Sequence, residues 1–132
     1  MPTHTTNVTI LTKATSAYKS WHGLLEDIPR LTRYTLGEKI DGLFTETVEL
    51  ILIASYTQRR EKLAVIQKAT QKLDSLKFFL QIAWELKALN NKKYMELSNP
   101  LTEVGKMLGG WRKQAEQFIQ PARDKQTSLP KQ

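Results

Sequence analysis

Cysteine is absent from the sequence, and histidine occurs only twice. A chain without thiols has no disulfide framework, no thiolate metal site and no cysteine nucleophile, and this fits a reducing compartment. His4 lies in a threonine-rich start, and His22 lies four residues before Glu26, a spacing that more often gives a surface pair than a general base. The Glu-x-x-His pairs with which helical bundles hold two iron ions do not occur. We therefore expect no metal, no other cofactor and no enzymatic activity.

Long apolar runs and glycine-rich loops are also missing. The longest uninterrupted apolar run covers residues 50–54, far below the roughly 20 residues that a transmembrane helix needs. Residues 1–10 have neither a basic start nor an apolar stretch, so they do not resemble a secretory signal. Gly37, Gly42 and Gly105 are isolated, which gives no phosphate-binding loop. These features predict a soluble, cytoplasmic protein without a membrane partner.

Positive charge is in excess and is unevenly distributed. The 132 residues include 20 Lys and Arg against 13 Asp and Glu, a formal net charge of +7. Residues 31–57 hold two basic and four acidic side chains, whereas residues 58–90 hold seven basic and three acidic ones. Such an excess predicts attraction to polyanions or to an acidic partner surface. For any single lysine, a role in solubility is the simpler interpretation.

The spacing of apolar residues predicts four amphipathic helices. The first covers residues 13–27. The second begins between Arg30 and Thr35, where residues 35–38 match a capping box, and ends at about Tyr56. The third covers residues 59–89, and the fourth runs from about residue 91 to Pro121. Short turns between helices make neighbours antiparallel, so we expect an all-α, up-down-up-down four-helix bundle.

Three regions follow from this interpretation. Residues 1–12 are expected to form a flexible arm, residues 13–120 the bundle domain, and residues 121–132 a basic flexible tail.

The fourth helix has the most regular apolar seam. Its residues alternate spacings of three and four: Tyr94, Leu97, Leu101, Val104, Leu108, Trp111, Ala115 and Phe118. Pro100 removes one backbone donor but leaves the phase unchanged, so we expect a kinked, continuous helix. Gly109 and Gly110 predict that another backbone or a bulky ring passes close to the helix there.

The third helix has more apolar surface than one helix contact could cover. One face carries Leu73, Leu76, Leu80 and Ala83. Phe78, Ile82 and Leu89 form a second apolar stripe on roughly the opposite side. An oligomer interface would cover this stripe, and burial inside the bundle is an equally good explanation. The three tryptophans of the chain, Trp21, Trp84 and Trp111, fall on different helices and are the predicted core anchors.

Basic residues are the candidate contacts for nucleic acid or for a protein partner. The set comprises Arg30, Arg33, Arg59, Lys62, Lys68, Lys72, Lys77, Lys87, Lys92, Lys93, Arg112 and Lys113. The pattern favours phosphate contacts over base recognition, because no recognition-helix, zinc-finger or sheet-aromatic motif is present. Binding of RNA or DNA is therefore expected to have little sequence specificity and a steep salt dependence.

Three ordered segments of the sequence resemble a known family. They are residues 33–41 (RYTLGEKID), residues 76–89 (LKFFLQIAWELKAL) and residues 107–111 (MLGGW). These segments are similar to those of the accessory variability determinant proteins of diversity-generating retroelements. That group belongs with bacterial four-helix-bundle proteins encoded in intervening sequences of large-subunit ribosomal RNA genes. The resemblance covers roughly residues 18–113.

The resemblance implies a four-helix protomer in a five-fold barrel with a basic surface. It also implies a non-enzymatic accessory role, in which the homo-oligomer binds the reverse transcriptase of the same element and nucleic acid during mutagenic copying of a template RNA. The alternative is a stand-alone bundle of the ribosomal intervening-sequence type, with charge serving solubility. Pro100 departs from the family pattern, and no role carries over to the two chain ends.

Overall fold

Helices account for all the regular secondary structure in the part of the chain that is described. The computed structural model describes the backbone of residues 2–128 and the side chains of residues 9–117. Its elements are α1 (Pro2–Leu24), a 3₁₀ helix (Leu25–Asp27), α2 (Arg30–Tyr34), α3 (Leu36–Tyr56), α4 (Arg59–Glu85) and α5 (Asn91–Ser128). The prediction of an all-α chain is confirmed over these residues.

The long helices α1, α3, α4 and α5 pack side by side in a cyclic order. Helix α1 contacts α3, α3 contacts α4, α4 contacts α5, and α5 contacts α1. Short connections make sequential neighbours antiparallel, so the packing is compatible with the predicted four-helix bundle. One end of the bundle contains residues 25–35 and 86–90, and we call it the α4–α5 end. The opposite end contains residues 57–58, and we call it the α3–α4 end.

One face of each long helix forms the core. The seam of α5 is buried from Leu97 to Ala115, as its regular spacing predicts, and Phe118 lies outside the described side chains. Thr47 interrupts the apolar face of α3, but its buried hydroxyl donates to the Leu43 carbonyl oxygen at 2.7 Å. The polar group is therefore satisfied within its own helix, and the interruption does not break the core.

Two of the three predicted tryptophan anchors are buried. Trp21 and Trp111 are 0% and 2% exposed, whereas Trp84 is 37% exposed. The prediction for Trp84 is wrong because its ring lies at the edge of the buried face of α4 and stacks on Tyr94 of α5 rather than entering the core. Sequence spacing defines which face of a helix is apolar, but it does not define how far the neighbouring helix covers the edge of that face.

Helix α1 is longer than predicted. It begins at Pro2, whereas the apolar pattern predicts a start at Lys13. Ile10 is fully buried and lies four residues before buried Ala14, so it continues the same helix face. The predicted arm therefore includes two residues, Ile10 and Leu11, that pack in or against the core.

At the other end of the chain, α5 continues through both of its prolines. The structure has one helix from Asn91 to Ser128, so Pro100 lies inside it, as predicted, and Pro121 does not end it. Proline has a helical φ and loses only its own donor, which a long helix tolerates at a cost. Residues 129–132 of the predicted tail lie outside the described residues.

The segment before α3 forms a separate short helix, and the predicted capping box is not made. Thr35 lies between α2 and α3, and its hydroxyl donates to the Leu31 carbonyl oxygen at 2.9 Å instead of capping α3. The hydroxyl thus satisfies a carbonyl oxygen of α2, because the chain is already helical from Arg30.

The two adjacent glycines of α5 are not in the close contact that the sequence predicts. A Cβ at Gly109 or Gly110 would meet nothing within 4 Å.

Helix α4 ends at Glu85 in a two-bond reverse turn. The Ala88 amide donates to the Ala83 carbonyl oxygen and the Lys87 amide donates to the Trp84 carbonyl oxygen, both at 2.9 Å. This is the Schellman arrangement, in which one residue must adopt the left-handed conformation. Here that residue is Lys87, with φ of 65°. The turn is a position at which glycine is strongly preferred.

We expect replacement of Lys87 by glycine to stabilise the fold. The left-handed backbone carries a steric penalty for any residue with a Cβ, and its removal should raise the free energy of unfolding by about 0.5 to 1 kcal/mol. Urea unfolding measures the change. Lys87→Ala is the matched control, because it removes the same charge and keeps the Cβ, and it should not stabilise. A lower midpoint for Lys87→Gly would contradict the assigned turn.

No helix in the described part of the chain is both long and apolar enough to cross a membrane.

Candidate nucleic-acid interface

The predicted basic residues fall into three groups rather than on one surface. Arg30, Arg33, Lys87, Lys92 and Lys93 lie at the α4–α5 end. Arg59, Lys62, Arg112 and Lys113 lie at the α3–α4 end. Lys68, Lys72 and Lys77 lie along α4 between the two ends. Helix α4 has 27 residues, so at about 1.5 Å per residue the two ends are roughly 40 Å apart.

At the α4–α5 end, two of the five cations are fully available to a ligand. Lys93 forms an ion pair with Asp27, with its Nζ 3.1 Å from Oδ2. Arg33 donates through Nη2 to the carbonyl oxygens of Glu26 and Ile28, and the Arg30 guanidinium lies 5.8 Å from the centre of the Tyr34 ring.

Lys87 and Lys92 are the two that remain available. Both are exposed, and no acidic partner contacts either of them among the described side chains. These two lysines are therefore the strongest cationic candidates at this end.

At the α3–α4 end, Lys62 has a structural role. Its Nζ lies 5.1 Å from the centre of the buried Trp111 ring. Burial lowers the pKa of Lys62, and the nearby Arg59 guanidinium lowers it further. Arg112 and Lys113 are exposed on the following turn of α5. Positive charge is therefore concentrated at this end as well, but its central lysine already contacts an aromatic ring.

The lysines in the middle of α4 point to different flanks of the helix. Lys72 forms an ion pair with Glu46 of α3, with Nζ 2.8 Å from Oε2. Lys77 lies on the other flank and lines a groove of about 260 Å³ against Tyr94 and Ser98 of α5. Lys68 is exposed. These three lysines therefore do not form one continuous patch.

The predicted apolar stripe is present for two of its three members. Phe78 is 59% exposed and Ile82 is partly buried on the outer face of α4, whereas Leu89 is 1% exposed. Leu89 is wrong as an interface candidate because α4 ends before it, and the reverse turn directs its side chain into the core. Exposed Leu86 and Met95 belong to the same end of the bundle, although the spacing of the stripe did not include them.

An aromatic pair at the α4–α5 end was not predicted as a site. The rings of Trp84 and Tyr94 stack with centroids 5.1 Å apart and an interplanar angle of 14°. The indole Nε1 of Trp84 donates to Asn91 Oδ1 at 2.7 Å. Trp84 and Tyr94 are ten residues apart, with the turn between α4 and α5 between them. This separation is the sequence signal that could have indicated the pair, since it places both rings beside the start of α5.

A second polar cluster connects α1 with α3. The Tyr18 hydroxyl and the Trp21 indole nitrogen both donate to Asp41 Oδ1, at 3.0 and 3.1 Å. Burial raises the pKa of the Tyr18 hydroxyl, and the Asp41 carboxylate raises it further. A shallow groove of about 450 Å³ lies beside this cluster and is also lined by His22 and Glu38. Among the described residues, no three His, Asp or Glu side chains are arranged to hold a metal ion.

Comparison with known proteins identifies the family of the chain. Residues 8–115 match a family model described as bAvd-like, the accessory variability determinant family. Neither the curated proteins nor the solved structures give a significant match. The matched range includes all of α3 and α4, most of α1 and the part of α5 up to Ala115. The chain therefore belongs to the bAvd-like family of accessory variability determinants.

Proposed function

We propose that the chain is a non-enzymatic accessory protein of a diversity-generating retroelement. In this role it forms a homo-oligomeric, basic scaffold that binds the reverse transcriptase of the element and its template RNA. The observation that carries the proposal is the family match over residues 8–115. The formal charge of +7 supports it, because an accessory protein that holds RNA near a polymerase needs an attractive surface for phosphate.

The exposed apolar side chains support self-association. Phe78 and Leu86 are 59% and 64% exposed on or beside α4, and Met95 is 49% exposed near the start of α5 at the same end of the bundle. Side chains of this size rarely occur together on the surface of a monomer without a partner. We propose a closed ring of identical protomers, a pentamer by family resemblance, in which unlike faces of neighbouring copies meet.

The nucleic-acid contacts in this proposal are mainly to phosphate. Lys87 and Lys92 at the α4–α5 end are the principal contacts, and Arg112 with Lys113 forms a second cationic group at the opposite end. Lysine ammonium groups act as point charges and do not read base identity. RNA and single-stranded DNA of equal length should therefore bind with similar affinity and lose affinity together as salt is raised.

The decisive experiment is affinity capture of the cognate reverse transcriptase by the tagged full chain. We expect the polymerase to be retained both with template RNA present and after nuclease treatment, because the proposal includes a direct protein contact. Lys13→Gln with Glu103→Gln is a suitable control variant, since it removes an exposed ion pair and leaves the net charge unchanged. Failure to retain the polymerase in both conditions would favour the stand-alone ribosomal intervening-sequence type of bundle instead.

A further inference from the structure

Trp84 is held in a fixed orientation with part of its ring exposed. One face of the indole is covered by the Tyr94 ring at 5.1 Å, and its Nε1 hydrogen is bound to Asn91 Oδ1. The side chain is nevertheless 37% exposed. An aromatic ring that is locked on one face and open elsewhere loses little conformational freedom when a second flat group stacks on it.

The exposed side of Trp84 faces a groove at the α4–α5 end. This groove has a volume of about 600 Å³ and is lined by Trp84, Glu85, Lys87, Leu89, Asn90 and Asn91. Tyr94 lines a different groove, with Phe78 and Lys77. Trp84 thus lines the first groove and Tyr94 the second, so a ligand in the first groove could contact the indole without displacing Tyr94. Its volume lies within the roughly 300 to 1,000 Å³ of typical small-molecule sites.

The rim of this groove is cationic and rich in hydrogen-bond donors. Lys87 lines it, exposed Lys92 follows on the first turn of α5, and Glu85 is the one acidic residue among those lining it. The side-chain oxygen of Asn90 already accepts from the Lys93 amide, and that of Asn91 accepts from Trp84. Both amide groups therefore present mainly their NH₂ donors to a ligand. Such a rim is complementary to an anionic ligand that carries acceptor groups.

We propose that this groove binds an unpaired nucleobase of single-stranded nucleic acid, stacked on the open side of Trp84. The adjacent phosphates contact Lys87 and Lys92, and the Asn90 and Asn91 amides donate to acceptors on the base or sugar. Stacking on an aromatic ring is tolerant of sequence because every base has a π face. This inference rests on the proposed function, and it adds that the scaffold distinguishes single strands from duplexes.

A purely apolar partner fits this groove less well. An apolar surface that covered Trp84 would also have to desolvate Lys87 at the rim, and it would supply no partner for that charge. A base with its phosphates satisfies the lysines and places only its flat face on the indole. The single-stranded ligand is therefore the occupant that the charges and the ring favour together.

Tryptophan fluorescence of the full chain tests the proposal directly. Trp21 and Trp111 are buried, so a ligand that stacks on the surface should quench mainly Trp84. The probe is a 12-nucleotide oligoadenylate RNA, compared with an RNA duplex of the same length. We expect saturable quenching by the single strand and little quenching by the duplex, whose bases are already paired and stacked.

Variants of Trp84 separate stacking from charge. Trp84→Leu should weaken binding of the single strand roughly 5- to 140-fold, the equivalent of about 1 to 3 kcal/mol for one stacked base. The slope of log K against log salt should stay the same, because no cation is removed. Trp84→Phe should restore part of the affinity. Duplex binding should be equal for all three proteins.

Other outcomes would overturn the inference in recognisable ways. If the single strand binds wild type and Trp84→Leu equally, or binds without quenching, the groove does not hold a base. Loss of self-association in Trp84→Leu, with RNA affinity unchanged, would show that the ring belongs to an interface between copies. If Trp84→Leu does not fold, the test rests on two other measurements, the quenching of wild-type fluorescence by the single strand and the RNA affinity of Trp84→Phe. A wild-type protein that binds no RNA of any kind would instead contradict the proposed function.

Discussion

Replacement of Trp21 by alanine should remove about 3 to 5 kcal/mol from the free energy of unfolding, the usual cost of truncating a buried large aromatic residue. Trp21 is 0% exposed and stacks on Phe44 with ring centroids 6.1 Å apart. The Trp21 indole nitrogen also donates to Asp41 Oδ1, so the substitution leaves that oxygen with only the Tyr18 hydroxyl as a donor. Because a domain of this size has a total stability of about 5 to 15 kcal/mol, the variant should be close to unfolding at 37 °C.

Urea unfolding followed by circular dichroism measures this loss. Trp84→Ala provides the matched comparison within the same chain, because the same side chain is removed from a site that is 37% exposed. It should cost less than half as much as Trp21→Ala, since less apolar area returns to water. Equal losses for the two variants would show that the assignment of Trp21 to the core and Trp84 to the surface is wrong.

Neutralising Lys87 and Lys92 together should weaken RNA binding strongly. Each lost phosphate contact on a single strand reduces the slope of log K against log salt by about 0.7, so two contacts reduce it by about 1.4. At 0.1 M salt this corresponds to a loss of affinity of roughly 25-fold. Fluorescence anisotropy of a labelled single-stranded RNA at several salt concentrations measures both quantities for Lys87→Gln with Lys92→Gln.

Two further double variants make this result specific. Lys19→Gln with Lys106→Gln removes the same charge from exposed positions outside the candidate set, and it should change the slope by much less. Arg112→Gln with Lys113→Gln tests the opposite end of the bundle, with an intermediate loss expected. A slope that is unaffected by the Lys87 and Lys92 changes, but reduced by the control pair, would place the RNA elsewhere on the protein.

The helical architecture followed from apolar spacing because burial of a periodic face is a local property. The seam of α5 was predicted residue by residue, since its spacings of three and four hold from Leu97 to Ala115 and every one of those positions is buried. The end of α3 at Tyr56 and the start of α4 at Arg59 were also predicted correctly. The early part of α1 was missed because its threonines have low helix propensity, although Ile10 is in phase with Ala14.

The errors at the candidate site have a different origin. Leu89 was misassigned because it follows the reverse turn after α4, where Lys87 adopts a conformation that its residue type does not suggest. Trp84 was misassigned because its ring lies at the edge of the buried face of α4 and stacks on Tyr94. Similarly, the positions of the lysines in the sequence gave no indication that Lys72 pairs with Glu46 or that Lys62 lies over Trp111. Pairings of this kind depend on which helices are neighbours, and a single sequence does not specify them.

The reverse turn thus connects the fold with the proposed interface. It directs Leu89 into the core and contains Lys87, and Lys92 follows it on the first turn of α5. Lys87→Gly should therefore make the protein more stable while weakening its affinity for RNA. A lysine in a strained backbone conformation at the rim of the groove is consistent with a role in binding.

Light scattering coupled to size exclusion, applied to the full chain mixed with its cognate reverse transcriptase and template RNA, tests the central claim most directly. The account predicts one complex that contains several copies of the chain together with the polymerase and the RNA. A chain that elutes apart from both, as a single protomer even at low salt, would contradict it.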